Sequence, residues 1–184
     1  MQEDEYKDHF TIFPYKSERR DDGINNGGID LTKTPERIED IHEIVNYPFM
    51  RKVFLDINAP NQIFMTFGCD LGIIDELHSG YFDFSFRPET KPNYWISIRE
   101  LDNQFHDYLS TLNHHGNWTI SPTDYAKSIL RWEHSPVMVH GSQRYDKVCV
   151  WIRVKEIEAF EWVMTHIRNF LVDYYPYHIY PSLT

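Results

Sequence analysis

At 184 residues, 41% hydrophobic and 16% aromatic, the chain has the size of one domain and is too apolar to be disordered. Eighteen lysines and arginines against 28 aspartates and glutamates leave a formal net charge of −10. That field repels phosphate backbones and anionic lipid, which excludes direct nucleic-acid and membrane binding as first expectations and favours a basic protein partner.

Residues 1–34 contain one apolar patch, Phe10 to Phe13, expected as a strand, then a polar loop around Asn25-Asn26-Gly27-Gly28. This segment is read as part of the same domain as residues 35–184. Thr34-Pro35-Glu36 predicts a helix start, because threonine caps free N–H groups and proline needs no partner at the first helical position. Ile38, Ile41, Ile44 and Val45 follow on one helical face until Pro48, and Phe49 to Ile57 predicts a second short helix. Ile63 to Phe67 reads as a buried strand that breaks at Gly68 and Gly72.

Residues 81–86 alternate strictly, with Phe82, Phe84 and Phe86 on one face and Tyr81, Asp83 and Ser85 on the other. Tyr94 to Ile98 is expected as the hairpin partner of that strand. A helix from Leu101 to Leu112 follows, then a second one starting at Ser121-Pro122-Thr123-Asp124, where Asp124 is placed to reach back to the cap. Val137 to Val139 and Val148 to Val154 predict a hairpin across residues 141–147. A long final helix begins near Glu156 and is expected to stop at Pro176, inside a tail that holds Tyr174, Tyr175, Tyr177 and Tyr180. Such a tail either folds back on the domain or mediates self-association, since tyrosines are costly to leave in water. Strands in hairpins with helices between them give an α+β class: a mainly antiparallel sheet of about five strands covered by helices, in a single domain.

The longest apolar runs, such as Val148 to Ile152, fall far short of the roughly 20 residues a membrane span needs. Glu3-Asp4-Glu5 is the reverse of a basic secretory leader, and Cys69 and Cys149 lie in strand-like contexts as two buried thiols. These features lead to an expected cytoplasmic location. An acid beside Cys69 disfavours its thiolate, so it makes a poor nucleophile. His106, His114 and His115 lack a metal-ligand spacing, and neither a metal nor a cofactor is expected.

Two His-x-hydroxyl triplets stand out, His9-Phe10-Thr11 and His140-Gly141-Ser142. They are similar to the twin motifs of the 2H phosphoesterases. The resemblance covers these six residues and implies His9 and His140 as acid and base, with Thr11 and Ser142 holding phosphate. The other signal is charge placement: between Gly68 and Glu89 lie Asp70, Asp75, Glu76, Asp83 and Glu89 against Arg87 alone. With Tyr81 on the outer face of the alternating strand beside Asp83, the stretch suits docking to a basic protein, acids steering the encounter and aromatics anchoring it. The leading expectation is therefore a protein-binding inhibitor of the immunity-protein or antitoxin type that neutralises a basic toxin or nuclease through Asp70, Asp75, Glu76, Tyr81 and Asp83. A phosphoesterase-like enzyme is the alternative.

Overall fold

The computed structural model of the chain describes residues 1–5, 7, 10–20, 23–25, 27–90, 98–112 and 119–179. The strands are β1 (Gln2–Glu3), β2 (Ile12–Phe13), β3 (Glu18–Arg20), β4 (Gly23–Asn25), β5 (Phe64–Ile74), β6 (Leu77–Phe86), β7 (Leu130–Val139) and β8 (Tyr145–Val154). The helices are α1 (Glu43–Asn46), α2 (Phe49–Asn58), α3 (Leu101–Thr111), α4 (Pro122–Ile129), α5 (Ile157–Arg168) and α6 (Tyr175–His178). A six-stranded open sheet runs β1-β7-β8-β6-β5, with β2 also on β7, while β3 and β4 form a separate ribbon. Each of the four long strands is antiparallel to its neighbour among them, and β1 and β2 are parallel to β7, so the sheet is mixed and the class is α+β.

Alternation in β6 sets the layers. Phe82, Phe84 and Phe86 pack beneath the helices in the main core with Phe54, Phe105, Phe160 and Phe170. The opposite face carries a smaller cluster of Phe13, Met65, Phe67, Val137 and Val139, against which Tyr15 packs. Phe13 meets Phe67 edge-on, with ring centroids 4.9 Å apart. The N-terminal residues are thereby held to the rest of the domain, by β1 and β2 along β7 and by Phe13 on the second face.

Several local expectations change. The strand starting at Ile63 does not stop at Gly68 or Gly72. A bulge between Thr66 and Gly68 absorbs the irregularity, and β5 continues to a two-residue turn at Asp75-Glu76. Gly80 makes that pairing sterically possible, since a Cβ there would sit 1.9 Å from the Asp70 carbonyl oxygen. Both edges of β6 are taken, by β5 and by β8, so no hairpin partner is needed from downstream. Of the segment expected in that role, residues 94–97 lie outside the described residues and Ile98 opens a 3-10 turn, Ile98–Glu100.

The expected first helix is a 3-10 turn, Pro35–Asp40, followed by the four-residue α1. Ile38, Ile41 and Ile44 recur every third residue, and that spacing stacks on one side of a 3-10 helix rather than an α-helix. Thr34 supplies no cap. Its hydroxyl donates to the Asp30 carbonyl instead, at 3.0 Å. At α4 the expected cap does form, with the Asp124 N–H donating to Ser121 Oγ at 3.1 Å and the Ser121 hydroxyl donating to Asp124 Oδ2 at 2.7 Å. The final helix also outruns its expected end. A π-helical turn, Asn169–Tyr174, widens the backbone after Arg168, and Pro176 then falls in the first turn of α6, where a missing N–H is tolerated.

Candidate functional site

The β5–β6 hairpin places the acidic residues singled out from sequence. Asp75 and Glu76 form its tip with φ of 51° and 62°, the left-handed values a two-residue hairpin turn requires. Both are exposed, as is Asp70. Between them stand Ile73 and Ile74, 70% and 59% exposed, on opposite faces of the strand end because successive side chains alternate. These isoleucines were not singled out from sequence. The Asp75-Glu76 pair lacks the glycine or asparagine that ordinarily signals a tight hairpin, so the exposed apolar arm had no marker.

Tyr81 and Asp83 do not join that exposed surface. Tyr81 lies across from Asp70 and tilts against Trp151, with ring centroids 5.2 Å apart. Burial first, then the neighbouring Asp83, push its phenol up. Asp83 points away from the helices as alternation predicts, yet it is only 6% exposed. Its Oδ2 is paired with the buried ammonium of Lys147. The expected presentation of Tyr81 and Asp83 to solvent is thus corrected, because the second face of the sheet is covered rather than solvated.

Around the Asp83–Lys147 pair the strands assemble a polar patch. Cross-strand register sets Glu133 against Cys149 and Cys149 against Asp83, with Ser135 against Lys147 in the adjoining row. Glu133 accepts from Gln2 Nε2 at 3.0 Å and from Trp151 Nε1 at 2.7 Å, and Arg131 reaches it at 3.1 Å. Burial alone would lower the Lys147 ammonium, but the Asp83 carboxylate outweighs it and holds the group above the ordinary lysine value. Burial, then Asp83, also push the Cys149 thiol far up. A charged lysine and a suppressed thiol supply neither a general base nor a nucleophile. Asp83 Oδ1 and the Ser135 hydroxyl are buried with no hydrogen-bond partner among the described residues.

Of the residues in the phosphoesterase-like triplets, His9 lies outside the described residues. His140 follows the last residue of β7 with φ of 48°, and Gly141 comes next at 74°, so the second triplet lies in a turn and not along a strand. Ser142 is used within that turn, accepting from the Val139 N–H and donating to the Gln143 carbonyl, each at 3.2 Å. Thr11 sits just before β2, where its carbonyl accepts from the Met138 N–H at 2.7 Å. The His140 imidazole faces Asp30, with Nε2 to Oδ2 at 2.6 Å.

Asp30 is nearly buried and ties this corner together, also accepting from the Thr32 N–H at 3.0 Å and from the Thr32 hydroxyl. Burial raises its carboxyl, but bonds from Thr32 and His140, with Lys33 nearby, overcome that and leave it below the usual aspartate range. A depressed carboxyl contributes stability that is complete above the unfolded value, about 3.9, and is lost as pH falls through the lower folded value. Asp30→Asn should therefore cost about 1–3 kcal/mol at neutral pH. The gap from wild type should shrink below about pH 4. Urea unfolding at the two pH values checks this.

Elsewhere, Cys69 is a poor nucleophile. Burial, followed by the charges of Glu43, Asp70 and Asp83, pushes its thiol well above the ordinary range. His114 and His115 lie outside the described residues. No group of three or more histidines, cysteines, aspartates or glutamates among the described residues could hold a metal ion. No described helix is long and apolar enough to cross a membrane. Comparison with protein-family models finds none that matches this chain, and comparisons with curated proteins and with solved structures likewise find no match.

Proposed function

We propose that this chain is a protein-binding inhibitor, of the immunity-protein or antitoxin type, whose acidic β5–β6 hairpin docks on a basic protein. The observation that carries the reading is the composition of the exposed arm: two isoleucines, Ile73 and Ile74, rimmed by Asp70, Asp75 and Glu76. An exposed isoleucine on each face of the arm, with acids beside it, supplies the apolar anchors and charged surroundings that protein interfaces combine. The rim charges match the sign of the chain as a whole, so they add to the long-range attraction of a basic partner and speed the encounter.

The test is affinity capture from the source cells, run in parallel with the triple variant Asp70→Lys, Asp75→Lys, Glu76→Lys. The wild-type chain should retain a basic protein and suppress that protein's activity, while the variant, folded by circular dichroism, should lose it. Retention of the same protein by the variant, or of no basic protein by either, sinks the reading.

A further inference from the structure

We propose that the free edge of β5, from Asp70 to Ile74, receives an extended basic segment of the partner as an additional strand of the sheet. The inference rests on the reading of the arm as a docking surface and adds how docking occurs. Among the described residues β5 pairs only with β6, so its other edge directs backbone N–H and C=O groups outward.

The two halves of that edge differ. Near its start the edge is closed by side chains: the Thr66 N–H donates to Asn58 Oδ1 at 3.1 Å, and Arg87 Nε donates to the Phe64 carbonyl at 3.0 Å. Beyond the bulge, only the Tyr47 hydroxyl reaches a backbone group among the described side chains, donating to the Gly72 carbonyl at 3.1 Å. A Cβ on Gly72 would meet nothing within 4 Å, and Asp70, Ile73 and Ile74 are exposed. Apart from the Gly72 carbonyl, which the Tyr47 hydroxyl holds, an incoming strand meets backbone that no described side chain bonds, with an isoleucine on each face.

Charge selects the occupant. Asp70, Asp75 and Glu76 flank the open half, and Glu43 of α1 is close enough that, after burial, the Asp70 charge helps to raise its carboxyl. Among the described residues the base paired with the tip is Arg153, 3.8 Å from Asp75, both side chains being exposed. Lysines or arginines alternating along the added strand would lie beside these acids. A second copy of this chain fits badly, because pairing β5 with β5 brings the same three acids together in two molecules that each carry −10.

The experiment uses the full chain labelled with 15N and three synthetic peptides. The first alternates lysine with valine and threonine. The second has the same sequence with every second backbone nitrogen methylated, and the third has glutamate in place of lysine. The first peptide should shift the amides of residues 69–74 and show cross-strand contacts to them, with the other two at least about tenfold weaker. Equal binding of the methylated peptide overturns edge pairing while leaving an acidic docking surface intact. Shifts scattered over other surfaces, or none, also overturn it. Amides 69–74 that respond to protein concentration without peptide identify a second copy as the occupant and overturn the choice of partner. Failure of the triple lysine variant to lose its captured protein is a separate result, which removes the docking surface itself.

Discussion

Lys147→Met is expected to destabilise the fold by about 3–5 kcal/mol, because it strands the Asp83 carboxylate in a buried site without its cation. Asp83→Leu should cost a similar amount by stranding the ammonium. Both side chains are less than 10% exposed, so solvent does little to screen either unpaired charge. The double variant Asp83→Leu, Lys147→Met separates this pair from an ordinary packing contact. Two charges removed from water lose hydration that their mutual attraction recovers only in part, so an apolar pair of similar volume should restore wild-type stability or exceed it. Denaturant unfolding of the four proteins gives the coupling directly. A double variant as unstable as the sum of the singles would mean that the pair is held by wider packing and not by charge.

The same residues predict behaviour in alkali. Lys147 is raised above its ordinary value, so its contribution is complete below the unfolded lysine value of about 10.4 and is lost as pH rises through the folded one. Asp83 Oδ1, without a hydrogen-bond partner among the described residues, is a further desolvated group that an apolar replacement of the pair removes.

Tyr175→Ala should cost about 3–5 kcal/mol, the range for emptying a large buried aromatic site. That loss corresponds to about 2–4 °C of melting temperature per kcal/mol in a chain of this size. Tyr175 is fully buried, and its ring lies 5.0 Å from Phe64, 6.1 Å from Phe86 and 5.8 Å from Phe170. Of the two roles the sequence leaves open for the aromatic tail, folding back on the domain describes Tyr175. Tyr174 is stacked on His178 at 4.2 Å, whereas Tyr177 remains exposed. Truncation at residue 174 would consequently open the core, and any change in light scattering would report unfolding. Tyr177→Ser, which leaves the core intact, is the variant that tests self-association. Thermal melts of Tyr175→Ala and Tyr177→Ser should differ widely, and equal melts would mean that the ring at 175 contributes nothing to the core.

Much of the fold was legible because it depends on local periodicity. The strict alternation of residues 81–86, the stripe along α3 and the Ser121-Asp124 cap each set a local preference that the tertiary structure keeps. The hairpin of β7 and β8 was legible for the same reason, although β7 begins at Leu130, directly after α4, earlier than its apolar run indicates. The extent of β5 was not. Gly68 and Gly72 break a strand on propensity alone, and only the bulge and the bare backbone at Gly80 let β5 and β6 stay paired to the tip.

The charge of the surface divides in the same way. The sequence by itself determined an acidic, aromatic α+β chain and a stretch from Gly68 to Glu89 with five acids against one base. Which of those acids meet solvent was decided by tertiary structure. A period of two tells which side of a sheet a residue faces, but not whether that side is covered. The N-terminal residues along β7 and the packing of Phe13 and Tyr15 turn a nominal outer face into a second interior, where Asp83 needs Lys147. Ile73 and Ile74, although apolar, end in water because pairing of β5 with β6 continues to the exposed hairpin tip.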